Sequence, residues 1–191
     1  MKAKTYSDTI AHLNSKDVFV FHSNGKGFHG AGAAAFAMFG LYGNVWRNQV
    51  VPKTNSFLHQ VPDGTLGKYA IKGVSKGYQE GHEGRSYAIM TVENPGRKKS
   101  VSKDSIIRQI RRLYQFAGQH PTWDFLVAQT VRQGYSGYTP LEYAKMYAAP
   151  HSIPKNIVFH EDFSIIVSSC IMNRRPNART TGSIQLSLFG S

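Results

Sequence analysis

Residues 18–37, Val-Phe-Val-Phe-His-Ser-Asn-Gly-Lys-Gly-Phe-His-Gly-Ala-Gly-Ala-Ala-Ala-Phe-Ala, run from an apolar strand through a glycine-rich turn into a helix of small residues. A buried strand ending at Ser23-Asn24 and followed by Gly25, Gly27, Gly30 and Gly32 leaves backbone N–H groups bare. They sit at the positive end of a helix opening near Ala31 to Ala35, which suits a phosphate. Ser23, Asn24, Gly30, Ala31, Gly32 and Ala33 are therefore candidate ligand-binding residues, their small side chains letting backbone approach a ligand or the sheet. A tight strand-to-helix connection without a ligand explains the same glycines, and spacing alone leaves both readings open.

Outward from this stretch, Tyr87 to Val92, Phe125 to Val131 and Ile157 to Phe159 are short, apolar and rich in β-branched or aromatic residues. Helical patterns separate them, which predicts an α/β sheet. Ile106, Ile107, Ile110, Leu113, Tyr114 and Ala117 share one helix face, with Arg108, Arg111 and Arg112 largely opposite. Ser102 or Ser105 would cap this helix and Gly118 would end it. A second helix is expected from Thr139-Pro140-Leu141-Glu142 to about Ala148, with Thr as cap, Pro at the first position and Glu closing a capping box. Residues 62–86, with six glycines, read as loop.

The chain has 191 residues, 41% of them hydrophobic, which is enough for one core and too little for two ordinary domains. Residues 1–172 are expected to form that domain, 173–183 a flexible basic linker and 184–191 a separate tail. No apolar run approaches a membrane span and Met1-Lys-Ala-Lys-Thr-Tyr lacks a signal's apolar stretch, so a cytoplasmic protein is expected. Cys170 is the only cysteine, set in an apolar run, and reads as a buried inert thiol. No metal is expected, because the histidines lack ligand spacing. Lys and Arg number 23 against 11 Asp and Glu, a formal charge of +12 that favours polyanions. Non-specific nucleic-acid contact follows as a supporting expectation, since no DNA-reading motif accompanies the charge.

A second glycine turn, Arg132-Gln133-Gly134-Tyr135-Ser136-Gly137-Tyr138, follows the strand predicted over 124–131 and precedes the capped helix. Turns at the C-terminal ends of adjacent strands meet over one crevice, so Arg132, Gly134, Tyr135, Ser136, Gly137 and Tyr138 are candidates for its other side.

Val18 to Ala35, Gly84-Arg-Ser-Tyr-Ala-Ile89 with Thr91, Gly134 to Tyr138 with Pro140 and Glu142, and Pro154 to Phe163 together resemble a family of small phage and prophage proteins. That family carries a Phe-Gly-Ser-Asn, glycine, His-Gly-Ala-Gly-Ala-Ala signature and is similar to macrodomains. The resemblance spans most of residues 17–163. It implies a three-layer macrodomain-like α/β fold, a mixed sheet flanked by helices, that binds ADP-ribose or a related nucleotide and needs no further cofactor. It would place Asn24 at the distal ribose, Gly30 to Gly32 on the near side of the diphosphate and Gly134 to Gly137 on the far side. Asn24 and His29 become the candidate catalytic pair, able to position a water near the ribose, with no carboxylate in either loop as general base. A loop-bracing hydrogen bond is the other role open to His29. The chain departs from the family pattern at His22 (usually glycine), Phe28 (commonly basic) and Arg132-Gln133 (usually a small pair).

Gln185-Leu186-Ser187-Leu188-Phe189 looks like the pentapeptide that binds the bacterial DNA polymerase sliding clamp. Its apolar anchors lie beyond a basic stretch and suit a partner's pocket, while an edge strand over Ser183 to Phe189 is the alternative. Two functions follow as expectations. One is a phage or mobile-element nucleotide-binding protein tethered to the clamp in a bacterial host cell, within reach of ADP-ribosylated DNA or replication proteins. The other is a non-enzymatic clamp-binding protein that modulates host replication.

Overall fold

Alternation along β2 (Asp17–Asn24) divides the molecule. Val18 and Val20 enter one core, Phe19 and Phe21 another, because successive strand side chains point to opposite faces of the sheet. In the computed structural model, which describes residues 4–43, 61–129 and 136–174, six strands form one sheet in the order β1-β6-β5-β2-β4-β3. The other strands are β1 (Thr5–Tyr6), β3 (Gly77–Glu80), β4 (Arg85–Val92), β5 (Asp124–Val127) and β6 (Ile157–His160). All pairings are parallel except β3 with β4, so the sheet is mixed. Helix α1 (Gly32–Phe39) packs on the Phe19 and Phe21 face through Ala34, Phe36 and Ala37. Helices α2 (Lys103–Gln119), α3 (Pro140–Tyr147) and α4 (Glu161–Met172) cover the Val18 and Val20 face. The result is the expected three-layer α/β arrangement, a mixed sheet flanked by helices.

The caps follow the residues. Ser102, and not Ser105, caps α2 by accepting from the Ser105 N–H, and Thr139 with Glu142 closes a reciprocal capping box on α3, which has Pro140 in its first turn. Gln109 of α2 is buried; its Oε1 accepts from the Met90 N–H and its Nε2 donates to the Met90 carbonyl. Since β3 leaves β4 at Ala88, this one side chain satisfies an edge that the hairpin abandons.

Four expectations change. Gly118 does not end α2: the helix runs to Gln119, and Asn156 Nδ2, at 3.0 Å from the carbonyls of Ala117, His120 and Trp123, caps it from a distant segment. The 62–86 stretch is not all loop, because it contains β3, which turns back through Gly81 to Gly84 to pair with β4. Strand β5 stops at Val127 rather than Val131. Asn173, expected to open the linker, is the C-cap of α4, and the Arg174 guanidinium donates to the Ala148 carbonyl; the rest of 173–183, and the tail, lie outside the described residues. Cys170 is buried on the inner face of α4. Among the described residues no helix is long and apolar enough to cross a membrane.

Candidate functional site

Strands β2 and β5 are neighbours and parallel, with Val20 opposite Val127. The chain leaves β2 for α1 on one face and leaves β5 toward α3 on the other. Adjacent strands whose C-terminal connections depart to opposite faces open a crevice between them, where open α/β sheets take their ligands. The two glycine turns singled out in the sequence are these two connections.

On the β2 side the glycines have two different reasons to be there. A Cβ on Gly25 would lie 2.6 Å from the Glu93 carbonyl oxygen, and one on Gly27 would lie 2.2 Å from the Gly73 carbonyl carbon. These two are demanded by backbone packing. Gly32, at φ +56°, has nothing within 4 Å of a built Cβ among the described residues. It opens α1, and its own N–H donates to the Gly43 carbonyl at 2.7 Å. The next two first-turn N–H groups, of Ala33 and Ala34, have no acceptor among the described residues.

Asn24 is committed to its own loop. Its Oδ1 accepts from the Lys26 and Phe28 N–H groups at 3.1 and 3.2 Å, and its Nδ2 donates to the Phe28 carbonyl at 2.8 Å. Ser23 is buried and its hydroxyl donates to the Ser75 carbonyl. His29 is fully buried, edge-on to Phe21, with Nε2 3.2 Å from the Ile71 carbonyl, so that nitrogen carries the proton. Its Nδ1 is a buried atom with no hydrogen-bond partner among the described residues, and burial pushes the imidazole pKa down to about 4. His29 thus braces the loop from beneath, and Gly30 and Ala31 carry the chain from it to α1.

On the β5 side, residues 130–135, with the candidates Arg132, Gly134 and Tyr135, lie outside the described residues. Ser136 and Tyr138 turn inward: the Ser136 hydroxyl accepts from the Tyr143 hydroxyl at 2.7 Å, and the Tyr138 hydroxyl donates to the Val101 carbonyl at 2.7 Å. Gly137 adopts φ +79°, and a Cβ there would meet the Lys98 side chain at 2.8 Å. Lys99 and Lys103 both pair with Glu142, at 3.1 and 2.9 Å. Lys103 first, then the Thr139 N–H and Lys99, hold the Glu142 carboxyl down to about 2. The connection after β4 is thereby tied to the start of α3.

Sequence reasoning passed over one residue here. His22, noticed only as a departure from a family pattern, stands on β2 two residues past the last β5 rung. Its ring stacks on Tyr143 at 4.2 Å between centroids, and its Nε2 lies 3.3 Å from the Tyr147 hydroxyl. Its signal was position: a histidine two residues before the end of a strand that leads into a ligand-type turn. The basic residues gather elsewhere, with Arg108, Arg111 and Arg112 exposed along the outer face of α2. An open polar groove lined by Asn14, Asp17, Glu80, Glu83 and Arg85 lies at the opposite ends of β2 and β4.

No protein-family model matches the chain, and no curated protein matches it significantly. Among solved structures the chain is similar to one described as a mutant of an Oceanobacillus iheyensis macrodomain. The match has 13% sequence identity and a TM-score of 0.43, and covers 87% of this chain and 89% of that one.

Proposed function

We propose that the protein binds ADP-ribose or a related nucleotide in the crevice between β2 and β5. The supporting observation is the switch point itself: two adjacent parallel strands part to opposite faces beside a helix start whose Ala33 and Ala34 N–H groups have no acceptor among the described residues. In this reading Gly30 to Ala33 approach the diphosphate, and Arg132 with Gly134 to Gly137 close the far side. Residues 185–189 tether the domain to the bacterial sliding clamp in the cytoplasm of a host cell, where a phage or mobile element would use it. Tethering raises the local concentration of the domain beside replicating DNA, and the +12 charge adds a salt-sensitive contact with nucleic acid. ADP-ribosylated DNA or replication proteins are then the targets within reach.

One observation favours a second reading. Asn24, one of the candidate catalytic pair, is engaged within its own loop, and His29, the other, is bonded to the distant Ile71 carbonyl and sealed from solvent. This favours binding over turnover, and with it a non-enzymatic clamp-binding protein.

Calorimetric titration with ADP-ribose, using AMP and NAD for comparison, tests the first reading. Saturable micromolar binding is expected, and no heat with any of the three would leave the clamp-binding reading alone.

A further inference from the structure

The Tyr147 hydroxyl is buried in a fully inaccessible side chain, and a buried O–H must find an acceptor. Its hydrogen-bond partner is His22 Nε2, at 3.3 Å. The phenol is therefore the donor and Nε2 the bare acceptor, which leaves the ring proton on Nδ1. Nδ1 has no partner among the described residues, and His22, unlike the fully buried His29, is only half-buried. Tyr143 covers one face of the ring in near-parallel stacking, 17° between planes, so the ring's direction is set by two side chains of α3. Beyond Val20 and Val127 the strands β2 and β5 no longer pair, and His22 stands where they separate.

We propose that His22 is a ligand-contacting residue, a neutral Nδ1–H donor at the floor of the crevice that hydrogen-bonds an oxygen of a bound phosphate or nucleotide. The proposal rests on the crevice being the binding site, as argued above. Burial also pushes the His22 pKa down to about 4, consistent with a ring that stays uncharged at neutral pH. Protonating Nε2 would turn the Tyr147 hydroxyl against a second donor, so the tautomer and the neutral state are locked together. His22 thus extends the neutral donors of Ala33 and Ala34 to a side-chain N–H on the other helix-bearing face.

Long-range ¹H–¹⁵N spectra of the full chain at pH 7 distinguish protonated from bare ring nitrogens, with inorganic pyrophosphate and ADP-ribose as probes. Nδ1 of His22 is expected to be protonated and to shift on titration. His22→Met, whose thioether is a weak acceptor for Tyr147 and which has no N–H to donate, is expected to weaken the binding probe about fivefold. A shift with pyrophosphate alone supports His22 while removing ADP-ribose as the ligand. An Nε2–H tautomer, an imidazolium, or binding heat without any change at Nδ1 overturns the His22 assignment and leaves the crevice reading standing. Absence of heat and shift with both probes overturns the two together.

Discussion

Lowering the pH from 7 to 5 should destabilise this fold through His29. The imidazole is fully buried, and burial brings its pKa from 6.5 to about 4. Between those values the unfolded chain holds a proton that the native state does not, so stability rises with pH across the window and falls as acid is added. Each pH unit in that window changes stability by about 1.4 kcal/mol for one fully discriminated proton, which gives about 2 kcal/mol lost for His29 by pH 5. His22 acts in the same direction, its pKa also pushed down to about 4 by burial. The assay is equilibrium urea unfolding at pH 7, 6 and 5 for the native sequence and for His29→Gln, whose amide can still donate to the Ile71 carbonyl without titrating. Groups common to both proteins cancel in the difference. The variant should lose about 2 kcal/mol less than the native sequence between pH 7 and 5. Parallel curves would mean that His29 is not held neutral by burial.

Glu142 titrates in a lower window: its pKa falls from 4.5 to about 2, so its contribution is complete above 4.5 and vanishes as pH falls through about 2. Glu142→Gln should flatten acid unfolding over that range, and an unchanged acid limb counts against the Lys103 and Lys99 pairing. Gly27→Ala should cost roughly 3 kcal/mol in urea unfolding, since φ is +58° and the Cβ would sit 2.2 Å from backbone. Gly32→Ala should cost only about 1 kcal/mol, the strain of its φ of +56°, because a Cβ there meets nothing within 4 Å among the described residues; equal losses would show that Gly32 is also packed. Gly32→Glu should abolish ADP-ribose heat and leave clamp affinity intact, and retained heat would move the ligand away from α1. Deletion of residues 185–189 should abolish binding to purified clamp in a surface-immobilised assay, and unchanged affinity would refute the tether.

The fold was legible where local chemistry and burial agree. Val18 to Phe21 alternates between two cores, Thr139 to Glu142 carries a complete capping box, and Ile106 to Ala117 leaves the arginines of α2 outside. It was illegible where a distant residue supplies the missing group. Gly118 reads as the stop signal, yet the helix runs one residue further, to Gln119, and the group that satisfies its end is the Asn156 amide, which donates to the Ala117 and His120 carbonyls. Strand β3 was hidden because Tyr78 and Gln79 sit among turn-forming glycines and become a strand only by pairing with Tyr87 and Ser86. The candidate site shows the same division. The first turn was legible from its glycines, while residues 130–135 of the second lie outside the described residues. That Gly25 and Gly27 serve backbone packing while a Cβ on Gly32 meets nothing among the described residues depends on Glu93 and Gly73, far along the chain.

The distribution of charge separates the two binding activities proposed here. Among the described residues the proposed crevice offers neutral donors, the Ala33 and Ala34 amides and the proposed His22 Nδ1–H, leaving Arg132 as the one cation proposed there, while Lys99 and Lys103 beside it are engaged by Glu142. A ligand held mainly by neutral donors releases few counterions, so its affinity should change little with salt. Arg108, Arg111 and Arg112, exposed on α2 with no ion pair among the described residues, have the opposite character. Each phosphate they neutralise on a duplex would add about 0.9 to the logarithmic salt slope. Raising salt should therefore strip nucleic acid from the protein while the nucleotide stays bound. Replacing the three arginines by glutamine should remove about 2.7 from the DNA slope and leave the nucleotide affinity as it was. A slope shared by both ligands would mean that they occupy one basic surface, and that the crevice reading has the wrong chemistry.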